Sequence, residues 1–175
     1  MNFLELAKSR RSIRNYKNDD VPENLIYQLL EAAQAAPSAG NCQPWYIYIV
    51  KDKTIIQRIR EKACRQAFIA SAPVLLIMCA DILRTEGRYK KRGRELYCLQ
   101  DTAAAIQNIM LCAQDIGLGA CWCGHFDEKS ITEILNLRSE MRPVAVIPVG
   151  YPNKEPTKKE LRPLEEIATF IYSAE

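Results

Sequence analysis

Only one histidine, His125, occurs in 175 residues, and the chain contains neither a CxxC pair nor a GxGxxG run. The first two absences remove the usual zinc spacings, so no metal site is expected. The third removes the dinucleotide fingerprint of a Rossmann domain. Charge of one sign is also scarce: 24 Lys and Arg stand against 21 Asp and Glu, a net +3. That excess is too small to indicate nucleic acid, and no basic stripe with interleaved aromatics accompanies it. Long apolar runs are missing as well. The longest, near Pro73–Ala80, is far short of a membrane span. Met1–Tyr16 is too polar and arginine-rich for the apolar core of a secretory signal, so the chain reads as cytoplasmic. No His–carboxylate or Cys–His constellation is recognisable, so no side chain is assigned as catalytic acid, base or nucleophile. His125 reads as a structural hydrogen-bonding residue.

What is present begins with 48% hydrophobic residues and a length suited to one domain over residues 1–175 with one sizeable core. The seven cysteines are odd in number and mostly lie in apolar stretches, where a free thiol acts as a small buried hydrophobe. Cys121 and Cys123 would share one face of a strand. A disulfide between such neighbours would be strained, and a redox or metal role for them is the weaker reading.

Helical and strand periods alternate along the chain. Asn2–Arg10 fits a short helix, and Pro22–Ala36 an amphipathic one with Leu25, Ile26, Leu29, Leu30 and Ala33 inward. Trp45–Val50, Pro73–Ala80, Ala120–Gly124 and Pro143–Gly150 read as strands. Thr54–Ala67, Glu95–Ile116 and a stretch capped by Asp127 read as helices; the second is apolar enough to be buried centrally or in a subunit interface. Leu164–Tyr172 is a final amphipathic piece. The result is an α/β or α+β arrangement with helices around a central sheet.

Four segments look functional. Arg10-Arg-Ser-Ile-Arg14 places three guanidiniums and a hydroxyl together; arginine's planar fork matches phosphate, and the same run also fits a solvated helix end. Pro37-Ser-Ala-Gly-Asn-Cys-Gln-Pro-Trp45 offers amide and hydroxyl groups suited to the edge of a heteroaromatic ring, with Gly40 permitting close approach. An ordinary turn uses the same residues. Gly117-Leu-Gly-Ala-Cys-Trp-Cys-Gly124 marks a helix end and a strand start. Lys158-Lys-Glu-Leu-Arg162-Pro163 puts a lone arginine after a basic connection. Arg84–Glu95 is also rich in basic residues, either as a solvated helix start or as a rim that attracts an anionic substrate or the extra phosphate of NADPH.

Taken in order, Arg10-Arg-Ser-Ile-Arg-Asn-Tyr16, Ala36-Pro-Ser-Ala-Gly-Asn-Cys-Gln-Pro-Trp45, Gly117-Leu-Gly-Ala-Cys-Trp-Cys-Gly124 and Leu161-Arg-Pro163 resemble the pattern of the nitroreductase family over essentially the whole chain. The resemblance implies an α+β fold: a mainly antiparallel central sheet flanked by helices, dimerised through long central helices. It also implies a homodimer with two FMN sites at its interface. Arg10, Arg11, Ser12 and Arg14 would grip the ribityl phosphate and the flavin edge. Pro37, Ser38, Ala39, Asn41 and Gln43 would reach in from the other subunit. Cys121, Trp122, Cys123 and Gly124 would lie near the ring, with Gln66 at its edge and Arg162 on the phosphate. The implied activity is ping-pong hydride transfer from NAD(P)H through FMN to nitroaromatics, quinones or similar small electrophiles. The same family includes reductive dehalogenases, flavin-fragmenting enzymes and tailoring dehydrogenases, and a flavin-binding electron-relay module is the alternative outside catalysis. The long inserted helices of larger members have little room here; only Arg84–Glu95 is available as a cover.

Overall fold

Strands β1 (Trp45–Val50), β2 (Val74–Asp81), β3 (Gly119–Ala120) and β4 (Met141–Gly150) form one antiparallel sheet in the order β1-β2-β4-β3. They belong to a computed structural model that describes residues 2–154, 156 and 160–172. Lys158 and Lys159 of the basic connection lie outside the described residues.

β2 is apolar without alternation because both of its faces are covered. Leu75, Ile77 and Cys79 turn to one side, where Ile56 and Ile59 of α3 (Lys53–Lys62) and Ile131 of α6 (Glu128–Leu135) meet them. Val74, Leu76 and Met78 turn to the other, against Ile26 and Leu29 of α2 (Glu23–Gln34) and Ile106 and Ile109 of α5 (Cys98–Asp115). The period-two alternation of a strand thus feeds two cores, one on each face. The fold is α+β, an antiparallel four-stranded sheet flanked by helices.

Local chemistry sets the helix ends. Asn2 and Glu5 form a reciprocal capping box on α1 (Phe3–Ser9), and Asp52 and Asp127 accept backbone N–H groups at the starts of α3 and α6. Beyond Val74–Asp81 the chain enters α4 (Ile82–Arg92), which breaks at Lys90 (φ 52°) and folds back through a π turn, Gly93–Tyr97, into α5. The fold-back needs glycine at 93, since a Cβ there would run into the carbonyl of Thr85, whose hydroxyl donates to Gly93 O at 3.0 Å.

Several expected bounds move. α3 stops at Lys62, and Ala67–Ser71 forms a separate 3-10 turn. Only Gly119–Ala120 pairs as a strand in the expected Ala120–Gly124 run; Cys123 then makes an isolated bridge to Val146. Arg84–Glu95 is a separate helix and turn, not a solvated start of the long helix. The expected amphipathic piece at Leu164–Tyr172 is reduced to one 3-10 turn, Leu164–Glu166. Phe170 and Ile171 are 81% and 93% exposed, so the segment has no apolar surface of its own chain to pack on, and a short helix without one does not hold. Among the described residues no helix is long and apolar enough to cross a membrane.

Candidate functional site

After α1 the chain runs extended along the end of the sheet. Ser12 bridges Ala120 in parallel, and Ile13 N donates to Ala120 O at 3.0 Å. Gly119 makes this approach possible: a Cβ there would sit 2.6 Å from Ile13 Cγ1. Ile13 and Tyr16 are buried, and the Tyr16 hydroxyl donates toward Ile13 O (2.5 Å) and Pro148 O (3.1 Å). Burial drives that phenol's pKa far up, so it remains a donor. The first and third motifs are therefore one construction.

This anchoring leaves Arg14 exposed at the surface and Arg10 and Arg11 half-buried. Arg11 donates to Lys8 O (2.5 Å) and Arg10 O (2.9 Å). None of the three is ion-paired to a carboxylate among the described residues. Ala7, Lys8, Arg10, Arg11, Ser12 and Leu161 line an open cleft of about 220 Å³. Arg162, the next residue after Leu161, holds Glu166 instead (Nε to Oε2 3.2 Å, Nη2 to the backbone O 2.7 Å).

Cys121 and Cys123 point inward, 1% and 5% exposed, while Trp122 (41%) and Gly124 face out. The Cys121 thiol is pulled down, first by the neighbouring Cys123 thiol and then by Arg14 and Ser12, against burial. Cys123 moves up as the pair's proton holder, with burial adding to the shift. The Arg14 guanidinium also lies 5.9 Å from the Phe68 ring centroid. Gln66 Nε2 donates to His125 O at 3.2 Å, whereas its Oε1 is buried with no partner. Ser12, Arg14, Gln66 and Cys121–Gly124 thus meet at one place.

The Pro37–Trp45 loop does not join them. It enters β1 at Trp45, opposite Ala80 of β2, whereas Ala120 pairs Val149, which pairs Val74. The two places are separated by about 20 Å along β2 at the strand rise. The loop is tightly determined: Gly40, Asn41 and Gln43 all have positive φ (54°, 56° and 47°), uncommon for the two that carry side chains. Ser38 Oγ accepts from Gln43 N (2.9 Å), and Asp101 Oδ1 accepts from Ala39 N (3.0 Å). Gln43 Nε2 donates to Asn41 Oδ1 (3.2 Å). Arg84 donates to Cys42 O (2.8 Å) and Arg88 to Gly40 O (3.2 Å).

Four contributors were not assigned to the site in the sequence. Tyr16 locks the arginine segment, while Arg84 and Arg88 serve as braces for loop carbonyls. Asp101 is a buried carboxylate whose Oδ2 has no partner and whose pKa burial raises. An acid just ahead of the apolar run Ala103–Ile106 was the available signal for it.

The nitroreductase family profile matches residues 7–67 and 58–151. A protein of Methanothermobacter thermautotrophicus, described provisionally as an NADH dehydrogenase/NAD(P)H nitroreductase, is 36% identical over 165 residues, 92% of this chain and 83% of its own. A Bacillus subtilis protein named as an NAD(P)H-type FMN reductase is 30% identical, covering 93% of this chain and 72% of its own. The crystal structure of a nitroreductase family protein of Clostridium difficile superposes with a TM-score of 0.86 at 31% identity, covering 97% of this chain and 98% of that one. Fold, site and relatives together define an NAD(P)H oxidoreductase of the FMN-dependent class. The chain belongs to the nitroreductase family.

Proposed function

We propose that residues 1–175 form one FMN-binding unit of a cytoplasmic homodimer that reduces small electrophiles, nitroaromatics or quinones among them, with NAD(P)H. The observation that carries this reading is the group of three guanidiniums without carboxylate partners among the described residues, on a segment hydrogen-bonded through Ile13 to the start of the Ala120–Gly124 segment. The donor set suits FMN. Arginine forks and the Ser12 hydroxyl match a phosphate, and the cleft beside Arg10 and Arg11 has room for one. The unpartnered Gln66 Oε1 is an acceptor for a ring N–H. Cys121, Trp122, Cys123 and Gly124 form the wall beside the ring.

Pro37, Ser38, Ala39, Asn41 and Gln43 supply the opposite wall from a second copy. Their separation from the arginines along β2 supports this, because one chain does not bring both to one ring. Exposed Leu161, Leu164, Ile167, Phe170 and Ile171 are the apolar surface that a second copy covers. Arg162 reaches the phosphate by exchanging Glu166 for it; an exposed ion pair is worth only about 0–1 kcal/mol, so the exchange costs little.

FMN held here would supply hydride transfer between NAD(P)H and the acceptor. The chain's own part is to bind, orient and polarise: the cation of Arg10 or Arg14 would favour the reduced, more negative form of a flavin held beside it. The nicotinamide leaves before the acceptor takes its place, a ping-pong order that needs no acid or base from the chain. Purified protein should be yellow and should oxidise NAD(P)H with menadione or a nitroarene. Colourless protein that takes up no added FMN would refute the reading. FMN uptake without NAD(P)H bleaching in anaerobic stopped-flow would make it an electron-relay module instead.

A further inference from the structure

Positive charge is concentrated in one short stretch of the chain. From Ile82 to Tyr97, α4 and the π turn after it hold six of the 24 Lys and Arg but only two of the 21 Asp and Glu. These residues therefore carry +4 and the remainder of the chain −1. A solvated helix ordinarily intersperses the two signs, because like charges a turn apart repel. Both acids are used inside the stretch: Lys91 meets Glu95 at 3.9 Å, and Arg94 meets Glu86 at 3.4 Å and Glu95 at 3.8 Å. Arg84, Arg88, Lys90 and Arg92 are exposed and pair with no carboxylate among the described residues. Their hydrogen bonds go to neutral oxygens, the carbonyls of Cys42, Gly40 and Gly87 and the Tyr97 hydroxyl. Such bonds satisfy N–H groups without cancelling charge.

The charge is fixed next to the Pro37–Trp45 loop. Arg84 and Arg88 brace that loop's carbonyls, and Tyr89 lies so close that a Cβ at Gly40 would run into its hydroxyl. The Tyr89 ring meets Tyr97 edge-on at 5.0 Å, and the Arg92 guanidinium rests 5.3 Å from the Tyr97 centroid. Lys90 follows Tyr89 directly, at the break in the helix. A braced helix end thus presents two uncancelled cations beside the loop. We infer that Lys90 and Arg92 select the electron acceptor by charge: the small electrophile carries an anionic group, a carboxylate or sulfonate on its nitroaromatic or quinone skeleton. The inference rests on the flavin reading, in which the loop forms one wall of the ring. Cations near that wall draw an anion in and leave a neutral electrophile unaided. Arg84 and Arg88 position the cations by fixing the loop; Lys90 and Arg92 are free of that task. The anionic group takes no part in hydride transfer.

The test follows the oxidative half-reaction alone. Photoreduced holoenzyme is mixed anaerobically with menadione, which is neutral, or with 1,4-naphthoquinone-2-sulfonate, which is an anion. The second-order rate of flavin reoxidation is read for each. In Lys90→Gln/Arg92→Gln the sulfonate's rate divided by menadione's should fall about five- to tenfold, the low end of the range for electrostatic steering. Raising ionic strength from about 10 mM to about 150 mM shrinks the Debye length from about 30 Å to about 8 Å. That change should lower the same ratio in the wild type, and lower it less in the variant. The wild-type salt series decides the matter if the variant fails to retain flavin. A ratio unchanged in the variant, or a wild-type ratio indifferent to salt, would overturn the inference. If NADPH over NADH selectivity of the reductive half-reaction changed instead, the two cations would belong to the nucleotide. Yellow protein that reduces both quinones with an unchanged ratio removes only this inference. Colourless protein that takes up no FMN removes the flavin reading with it.

Discussion

Around Ser38–Gln43 the polar groups are engaged within the chain. Ser38 takes Gln43 N, Asp101 takes Ala39 N, and Arg84 and Arg88 hold the carbonyls of Cys42 and Gly40. Around Arg10–Arg14 the backbone is just as firmly fixed, by the Ser12–Ala120 bridge and the Tyr16 hydroxyl, but the guanidiniums meet no carboxylate among the described residues. One region is shaped before any ligand arrives; the other is positioned and left electrostatically open. Two arginine pairs that look alike in sequence, Arg10 and Arg14 against Arg84 and Arg88, therefore do different work. The first has no carboxylate partner among the described residues and holds charge for an anion on the proposed reading, and the second uses its N–H groups to set a loop.

Substitutions should separate the two regions. Arg14→Ala removes charge from the open side and should weaken FMN retention by about 2–4 kcal/mol, the scale for truncating one member of a charge-assisted contact, with the melting temperature nearly unchanged. Equilibrium dialysis checks this, and unchanged affinity would remove Arg14 from the site. Gly119→Ala should cost about 1–3 kcal/mol in denaturant unfolding, because the added methyl meets Ile13. Gly124→Ala, in nearly open space, should cost almost nothing.

On the braced side, Asp101→Ala should destabilise by about 1–3 kcal/mol by leaving Ala39 N without an acceptor. Asp101 also gives a pH signature. Its folded pKa is raised by burial, so its contribution is fully present below the ordinary carboxylate range and is lost as pH rises through the folded value. The unfolding midpoint of the wild type should fall over that interval, and Asp101→Asn should flatten this component. On this side the smallest effect belongs to Arg88→Ala, which removes one exposed hydrogen bond and a contact with the Tyr89 ring and should cost less than about 1 kcal/mol. A change in NADPH over NADH preference in that variant would instead restore Arg88 to a rim that recognises the nucleotide.

Much of the scaffold was legible in one dimension. Trp45–Val50 has the bounds that its aromatic and β-branched composition suggests, and the uninterrupted apolar run at β2 is covered on both faces as expected. The helix start at Asp127 follows from a side chain that accepts a free N–H group, as its sequence suggests, whereas the Asp52 cap emerged only in the structure. The motif residues Ser12, Arg14, Gln66 and Cys121–Gly124 converge, although nothing in their spacing says that Gly119 must yield to Ile13. Less legible was the tail: Leu164–Tyr172 has an amphipathic pattern, but a pattern folds only against a surface, and Leu164, Ile167, Phe170 and Ile171 stay exposed.

Sequence alone settled the periods, the caps and the order of the motifs, because each depends on residues within a few positions of one another. Tertiary structure decided which motifs share a site, which arginines keep their charge available, and which of seven similar cysteines sits beside a guanidinium. Those outcomes depend on strand order and register, which bring residue 12 to residue 120 and residue 39 to residue 101 across distances no local pattern encodes.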